Sequence, residues 1–139
     1  MIFFNIALTV TDLRFYAGQE LTVSGKVKSG CDYFSINIGH DVNNIALHFN
    51  PRFKYNKDRN VIVCNSNRGG WGSEQKEKVF PFQRDGDFRV IVYCTKYSLS
   101  GRDSFSRGLW IIFSFTGFLF DFIHVRNDYI LYVFFSDFF

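Results

Sequence analysis

Three polar residues, His48, Asn50 and Arg52, stand at spacing two in this chain. On a β-strand successive side chains leave opposite faces, so these three share one face and Phe49 leaves the other. A second apolar run, Val61-Ile-Val-Cys64, ends in Asn65, which shares a face with Val61 and Val63. A glycine-rich turn from Asn67 to Gly70 delivers Trp71, after which Glu74, Lys76 and Lys78 alternate on what reads as a third strand. The chain thus gathers His, two Asn, Arg, Glu and Lys beside one indole.

That set suits a pyranose sugar. Its hydroxyls need donors and acceptors held in fixed directions. Its C–H face needs a rigid apolar plate, and tryptophan is the largest available. Arg52 only donates, ionised Glu74 only accepts, and an asparagine does both. An axial hydroxyl flanked by His48, Asn50 and Arg52 is read in both roles. Losing one such bond with its partner left buried costs roughly 1–3 kcal/mol, enough to reject an epimer.

The motif His48-Phe-Asn50-Pro-Arg52, then Val63-Cys-Asn65, then Trp71-Gly-Ser-Glu74, resembles the carbohydrate-recognition motif of the galectins. The similarity runs from about Leu13 through Phe88. It includes Gly18-Gln-Glu-Leu21, Gly25-Lys-Val27, Ile36-Asn-Ile-Gly39, Asn43-Asn44 and Val79-Phe-Pro-Phe82 before Gly86. By that resemblance the ligand is a β-galactoside bound without metal or other cofactor. His48, Asn50 and Arg52 would hold the galactose O4, Asn65 and Glu74 its O6, and Trp71 would stack beneath the ring. Arg52 and Glu74 would also reach the next sugar. The family usually carries Arg two residues after this Glu, and here Lys76 stands in its place. A lysine offers a point charge rather than a planar fork. Altered preference at the second sugar is therefore expected, with galactose binding kept.

The elements that must position these residues are short strands. At 139 residues the chain fits one domain, 1–139, well matched over 13–90 and divergent over 91–139. A strand is expected near the N-terminus and another around Leu13 and Phe15. Next comes Leu21–Lys28, interrupted at Gly25 by a bulge, and then Tyr33–Ile38 with Phe34, Ile36 and Ile38 on one side. The motif strand opens at Ile45. Lys54–Asn60 reads as a hairpin loop, Val61–Cys64 as the next strand, and Glu77–Phe82 and Phe88–Tyr93 as two more around the turn Asp85-Gly86-Asp87. Short strands without a convincing helix argue for an all-β, antiparallel β-sandwich. The family fold, a jelly roll, agrees.

Past about Val90 the resemblance stops. No lysine follows Lys96, and ten of the nineteen phenylalanines fall in the last 35 residues, so the tail is a different kind of polypeptide. Three readings of it stand open. It supplies replacement strands, since Phe113/Phe115 and Phe118/Phe120/Phe122 alternate. It is a non-homologous end that leaves the domain incomplete. Or it is a membrane segment, although residues 109–125 carry Asp121 and His124 and fall short of the ~20 apolar residues of a spanning helix. Trp110, in this tail, reads as buried or disordered.

Composition narrows the function classes. A net charge of +3 with interspersed signs gives no basic footprint for nucleic acid. Cys31, Cys64 and Cys94 have no metal spacing and cannot all pair, which reads as reduced thiols, with Cys64 in the core. A glycosidase needs two flanking carboxylates, and Glu74 has no evident partner; Asp41 and Asp58 lie in loops. With no nucleophile–base pair or phosphate loop either, the chain does not read as an enzyme. The apolar start lacks a basic n-region and reads as a strand rather than a signal peptide. The resemblance implies a protein that acts in the cytoplasm and, by secretion without a signal peptide, outside the cell. Its partners would be galactoside-bearing glycoconjugates, with membranes reached only through them. Single-domain galectins often dimerise through terminal strands. The C-terminal strand is unrecognisable here, so impaired or different dimerisation is expected. The alternative is a galectin-like product with weak or no sugar binding that acts through protein contacts or is non-functional.

Overall fold

The computed structural model describes residues 6–11, 13, 18–98, 105–115, 118–126 and 132–136; for residues 6–7 and 94 onward only the backbone path is described. Its elements are β1 (Ile6–Val10), β2 (Glu20–Lys26), β3 (Ser35–Asp41), β4 (Asn44–Tyr55), β5 (Asp58–Arg68), β6 (Gln75–Glu77), β7 (Asp87–Ser98), β8 (Phe105–Phe115), β9 (Phe118–Arg126) and β10 (Tyr132–Ser136). They form a six-stranded sheet of order β1-β10-β3-β4-β5-β6 and a four-stranded sheet of order β2-β7-β8-β9. Every strand pair in both is antiparallel.

The core follows from the alternation. Phe34, Ile36 and Ile38 reach it from the β3 side, Leu47, Phe49 and Phe53 from β4, and Ile62 and Cys64 from β5. Val23 of β2 and Phe88, Val90 and Val92 of β7 meet them from the other sheet. Edge-to-face and tilted rings knit the centre: Phe34 lies 5.3 Å from Phe82 and 5.2 Å from Phe88 between centroids. Aromatic pairs in such arrangements add about 0.5–1.5 kcal/mol each beyond the area they bury. Burial of Cys64 holds its thiol protonated, with its pKa pushed well above the ordinary value by desolvation. The side chains of Cys94 and Trp110 lie outside the described residues.

Several sequence expectations change. Gly25 makes no bulge: β2 pairs with β7 in unbroken register from Glu20 to Lys26. Its hydrogen side chain instead leaves room for the Phe88 ring, which a Cβ there would meet at 3.0 Å. Of the expected strand Glu77–Phe82 only Glu77 is in a ladder. Pro81 has no N–H to give, and Phe82 is drawn 4% exposed into the core. The Lys54–Asn60 loop shrinks to a two-residue turn, because Tyr55 pairs with Asp58. The turn is possible because Asn56 takes a left-handed φ of 49°, which asparagine tolerates better than most residues. The strand expected at Leu13 and Phe15 falls mostly outside the described residues.

The tail follows the replacement-strand reading. β8 pairs with β7 and β9 with β8, while β10 inserts between β1 and β3. The described parts of 109–125 are therefore hairpin strands, which overturns the spanning-helix reading. No helix among the described residues is long and apolar enough to cross a membrane.

Gly39 is the tightest point of the motif sheet. A Cβ there would lie 2.2 Å from the backbone oxygen of Asn44, at a register shift between β3 and β4. Backbone cannot swing aside as a side chain can. Gly39→Ala is expected to destabilise the chain by about 1–3 kcal/mol in urea unfolding. An unchanged midpoint would show that the two strands separate there at no cost.

Candidate functional site

The outer face of β3, β4 and β5 carries the polar residues. Register sets them in rows. Asn37, His48 and Asn65 lie directly opposite one another across β3, β4 and β5. Asn50, Val63 and Lys76 form the next row across β4, β5 and β6, and Arg52 faces Val61 in a third. Val61 and Val63 are 7% and 0% exposed, so they make an apolar floor between polar columns.

Each polar side chain on this floor is held. Asn37 donates through Nδ2 to Ser35 Oγ at 3.0 Å, which turns its Oδ1 to His48 Nδ1 at 2.5 Å. An amide oxygen can only accept, so Nδ1 carries the proton and Nε2 is left as an acceptor. Asn50 donates to the Phe34 carbonyl at 2.7 Å and accepts from Arg52 Nε at 2.7 Å. Each end of its amide retains capacity for one more bond. Arg52 also donates to Asp58 Oδ2 at 2.5 Å and to Glu74 Oε1 at 3.3 Å. Its guanidinium lies 4.5 Å over the Tyr55 ring. Lys76 closes the cluster, 2.7 Å from Asp58 Oδ1 and 3.5 Å from Glu74 Oε2. Two cations and two carboxylates balance.

Trp71 stands on a loop braced by the same neighbours. Gly69 takes φ +67°, Asn67 Oδ1 accepts from Gly70 N at 2.9 Å, and Asn67 bridges Trp71. Asn65 accepts from Ser66 N at 2.8 Å and donates to the Gly72 carbonyl at 3.0 Å. It therefore anchors the loop as well as lining the site. The indole meets His48 edge to face at 5.0 Å and stays 55% exposed. A large aromatic left that open beside fixed donors and acceptors can serve a ligand's apolar face as a plate.

The structure brings all seven expected residues, His48, Asn50, Arg52, Asn65, Trp71, Glu74 and Lys76, onto one surface. It corrects the third strand, which covers only Gln75–Glu77, with Glu74 before it and Lys78 after it. Two residues of the network were missed. Asn37, 1% exposed, sets the His48 tautomer; its place between Ile36 and Ile38, on the face of β3 opposite to theirs, was the available signal. Asp58, read as a loop residue, joins Arg52 to Lys76, and no local pattern marks it. Among the described residues no group of three or more His, Cys, Asp and Glu could hold a metal ion.

The electrostatics suit neutral recognition. Burial, then the Arg52 charge, lowers the His48 pKa to about 4, against a smaller opposing pull from Glu74. The hydrogen bond from Lys76, helped by Arg52, holds Asp58 below the usual carboxylate range, and the bond to Asp58 raises Lys76. In the unfolded chain histidine titrates near pH ~6.5. Between that pH and about 4 the unfolded state binds more protons, so stability rises with pH across the window. The His48 contribution is complete above the unfolded pKa and is lost as pH falls through the folded one. Asp58 acts in the same sense at lower pH. An NMR titration is expected to find His48 neutral at pH 5 and charging near pH 4. A midpoint near the ordinary histidine value would overturn the burial argument.

Comparison with known proteins agrees with this geometry. Residues 7–100 match the family model described as galactoside-binding lectin. Galectin-1 of Ovis aries is 51% identical over 77 residues, 55% of this chain and 57% of its own length. Galectin-1 of Rhinella arenarum is 41% identical over 94 residues, 67% of this chain and 68% of its own. The matched stretch thus spans a little over half to two thirds of these relatives. A toad ovary galectin solved in complex with thio-digalactose superposes with a TM-score of 0.76 at 34% identity, covering 94% of this chain and 90% of that one. With the sandwich and the family match in agreement, the chain belongs to the galectins, a family of galactoside-binding lectins rather than of enzymes.

Proposed function

We propose that this chain is a metal-independent lectin for β-galactosides. One observation carries the reading: an acceptor, His48 Nε2, and donors on Asn50 and Arg52 share one face beside the half-open Trp71 indole. A hydroxyl placed among them would donate to His48 and accept from Asn50 and Arg52. In galactose the axial O4 has that direction, and an equatorial hydroxyl has not. Asn65 and Glu74 take O6, and Trp71 stacks beneath the ring. Recognition is the whole mechanism, with no bond made or broken. An open groove leaves much of the sugar hydrated, so affinity per site is modest.

Immobilised lactose tests this. The folded chain is expected to be retained and released by lactose but not by sucrose. Trp71→Ala should weaken lactose binding about tenfold or more while leaving the unfolding midpoint in place, because the indole is half exposed. Soluble, folded wild-type protein that flows through would sink the reading and favour a partner that is not a galactoside.

The second sugar falls to Arg52, Glu74 and Lys76. The Lys76 ammonium is occupied by two carboxylates, at 2.7 and 3.5 Å. An arginine there would satisfy both and keep donors for a ligand. Lys76→Arg is expected to raise affinity for lactose over methyl galactoside about fivefold, the ~1 kcal/mol of one net hydrogen bond. Calorimetric titration with both sugars measures this. An equal change for the two would remove Lys76 from the second subsite.

A further inference from the structure

We propose that the tip of the β4–β5 hairpin binds an anionic substituent, a sulfate or a carboxylate, on a glycan whose galactose occupies the Trp71 site. The inference rests on the galactoside reading and extends it along the groove. Between positions 54 and 59 the chain places Lys54, Lys57 and Arg59 against a single acid, Asp58. That acid is already committed, one oxygen to Arg52 and the other to Lys76. All three cations are exposed. None of the ion pairs among the described residues includes them. The tip therefore carries three positive charges that the fold leaves unbalanced.

Two features make this more than a solvated run of lysines. Lys54 and Arg59 lie directly opposite each other in the β4–β5 ladder. Like charges so placed repel and destabilise a hairpin. An anion bridging them would turn that repulsion into attraction. Arg59 is also fixed: Nη1 donates to the carbonyls of Asn56 and Asp58, each at 2.8 Å. Its guanidinium is thus held at the turn with other donors to offer, and less side-chain entropy is lost there on binding.

Position names the ligand. Lys54 follows Arg52 by two residues on β4, so it continues the column of His48, Asn50 and Arg52 about 7 Å further along the strand. Arg52, Asp58, Glu74 and Lys76 form a neutral cluster between the Trp71 end and the tip. A negative group reaching Lys54, Lys57 and Arg59 must then sit beyond the galactose, on the second or third sugar.

Calorimetric titration separates the possibilities. The probes are lactose, lactose sulfated at O6 of its glucose, and lactose extended at its reducing end by glucuronate. One or both anionic probes should bind about three- to tenfold tighter than lactose at low ionic strength, the strength of one or two exposed ion contacts. The gain should shrink towards zero as salt rises to about 0.5 M. Which probe gains tells sulfate from carboxylate. In the double variant Lys54→Gln/Lys57→Gln the gain should vanish while lactose binds as before, and unchanged lactose binding shows that the variant is folded. Lactose binding with no gain for either anionic probe would overturn this proposal alone. Failure of lactose to bind the wild-type chain would overturn the galactoside reading and this one with it.

Discussion

A buried guanidinium governs the outer face of the six-stranded sheet. Arg52 is only 8% exposed, and a cation so placed is tolerated only if its charge and its N–H groups are met. Asn50, Asp58 and Glu74 meet them, and Tyr55 covers its face. Removing either acid would leave charge stranded near the apolar floor of Val61 and Val63. The network therefore constrains the hairpin, the approach to β6 and the orientation of Asn50 together. Its members are satisfied first by one another, and what they have left over is aimed outward.

That arrangement is what preorganisation means here. Donors and acceptors fixed before a ligand arrives need little ordering on binding, which favours affinity and, more strongly, discrimination. His48 belongs to the same logic. Asn37 and Ser35 set its tautomer from the neighbouring strand β3, and burial keeps it neutral, so it offers one acceptor to the surface. The Trp71 loop is bound to this assembly through Asn65, which clasps the Gly72 carbonyl. The indole is thus a rigid plate although it is exposed. The opposite face of the same strands does different work, since Leu47, Phe49, Ile62 and Cys64 fill the core that keeps the polar rows in register.

Much of this was legible because it is local. Spacing two in His48, Asn50 and Arg52 places three residues on one face whatever surrounds them, and β4 does so. The same alternation put Cys64 in the core and Asn65 outside it. Phe34, Ile36 and Ile38 were legible for the same reason. Where pattern failed, a distant partner had decided. Gly25 read as a bulge because glycine weakens a strand, but what it accommodates is the Phe88 ring of the paired strand, which a Cβ there would crowd. Phe82 read as a strand residue and is instead pulled inward beside Phe34 and Phe88. Lys54 and Tyr55 read as loop, but pairing with Arg59 and Asp58 extends β4 to a tight turn.

Alone, the sequence determined the class of fold, which faces of the central strands are polar, and the set of residues proposed to read a sugar. These depend on strand periodicity and side-chain chemistry, which travel with the chain. Tertiary structure decided the rest. It closed a turn at Asn56 and brought Asp58 between Arg52 and Lys76, a contact set by how a hairpin folds back rather than by any run of residues. It made Asn37 the partner whose amide oxygen accepts from His48 and so keeps the proton on Nδ1. It also used the phenylalanine-rich tail for β8 beside β7, β9 beside β8, and β10 between β1 and β3. Alternation shows that a segment can be a strand, but edge vacancies in the two sheets select its neighbours, and those exist only once the sheets have formed.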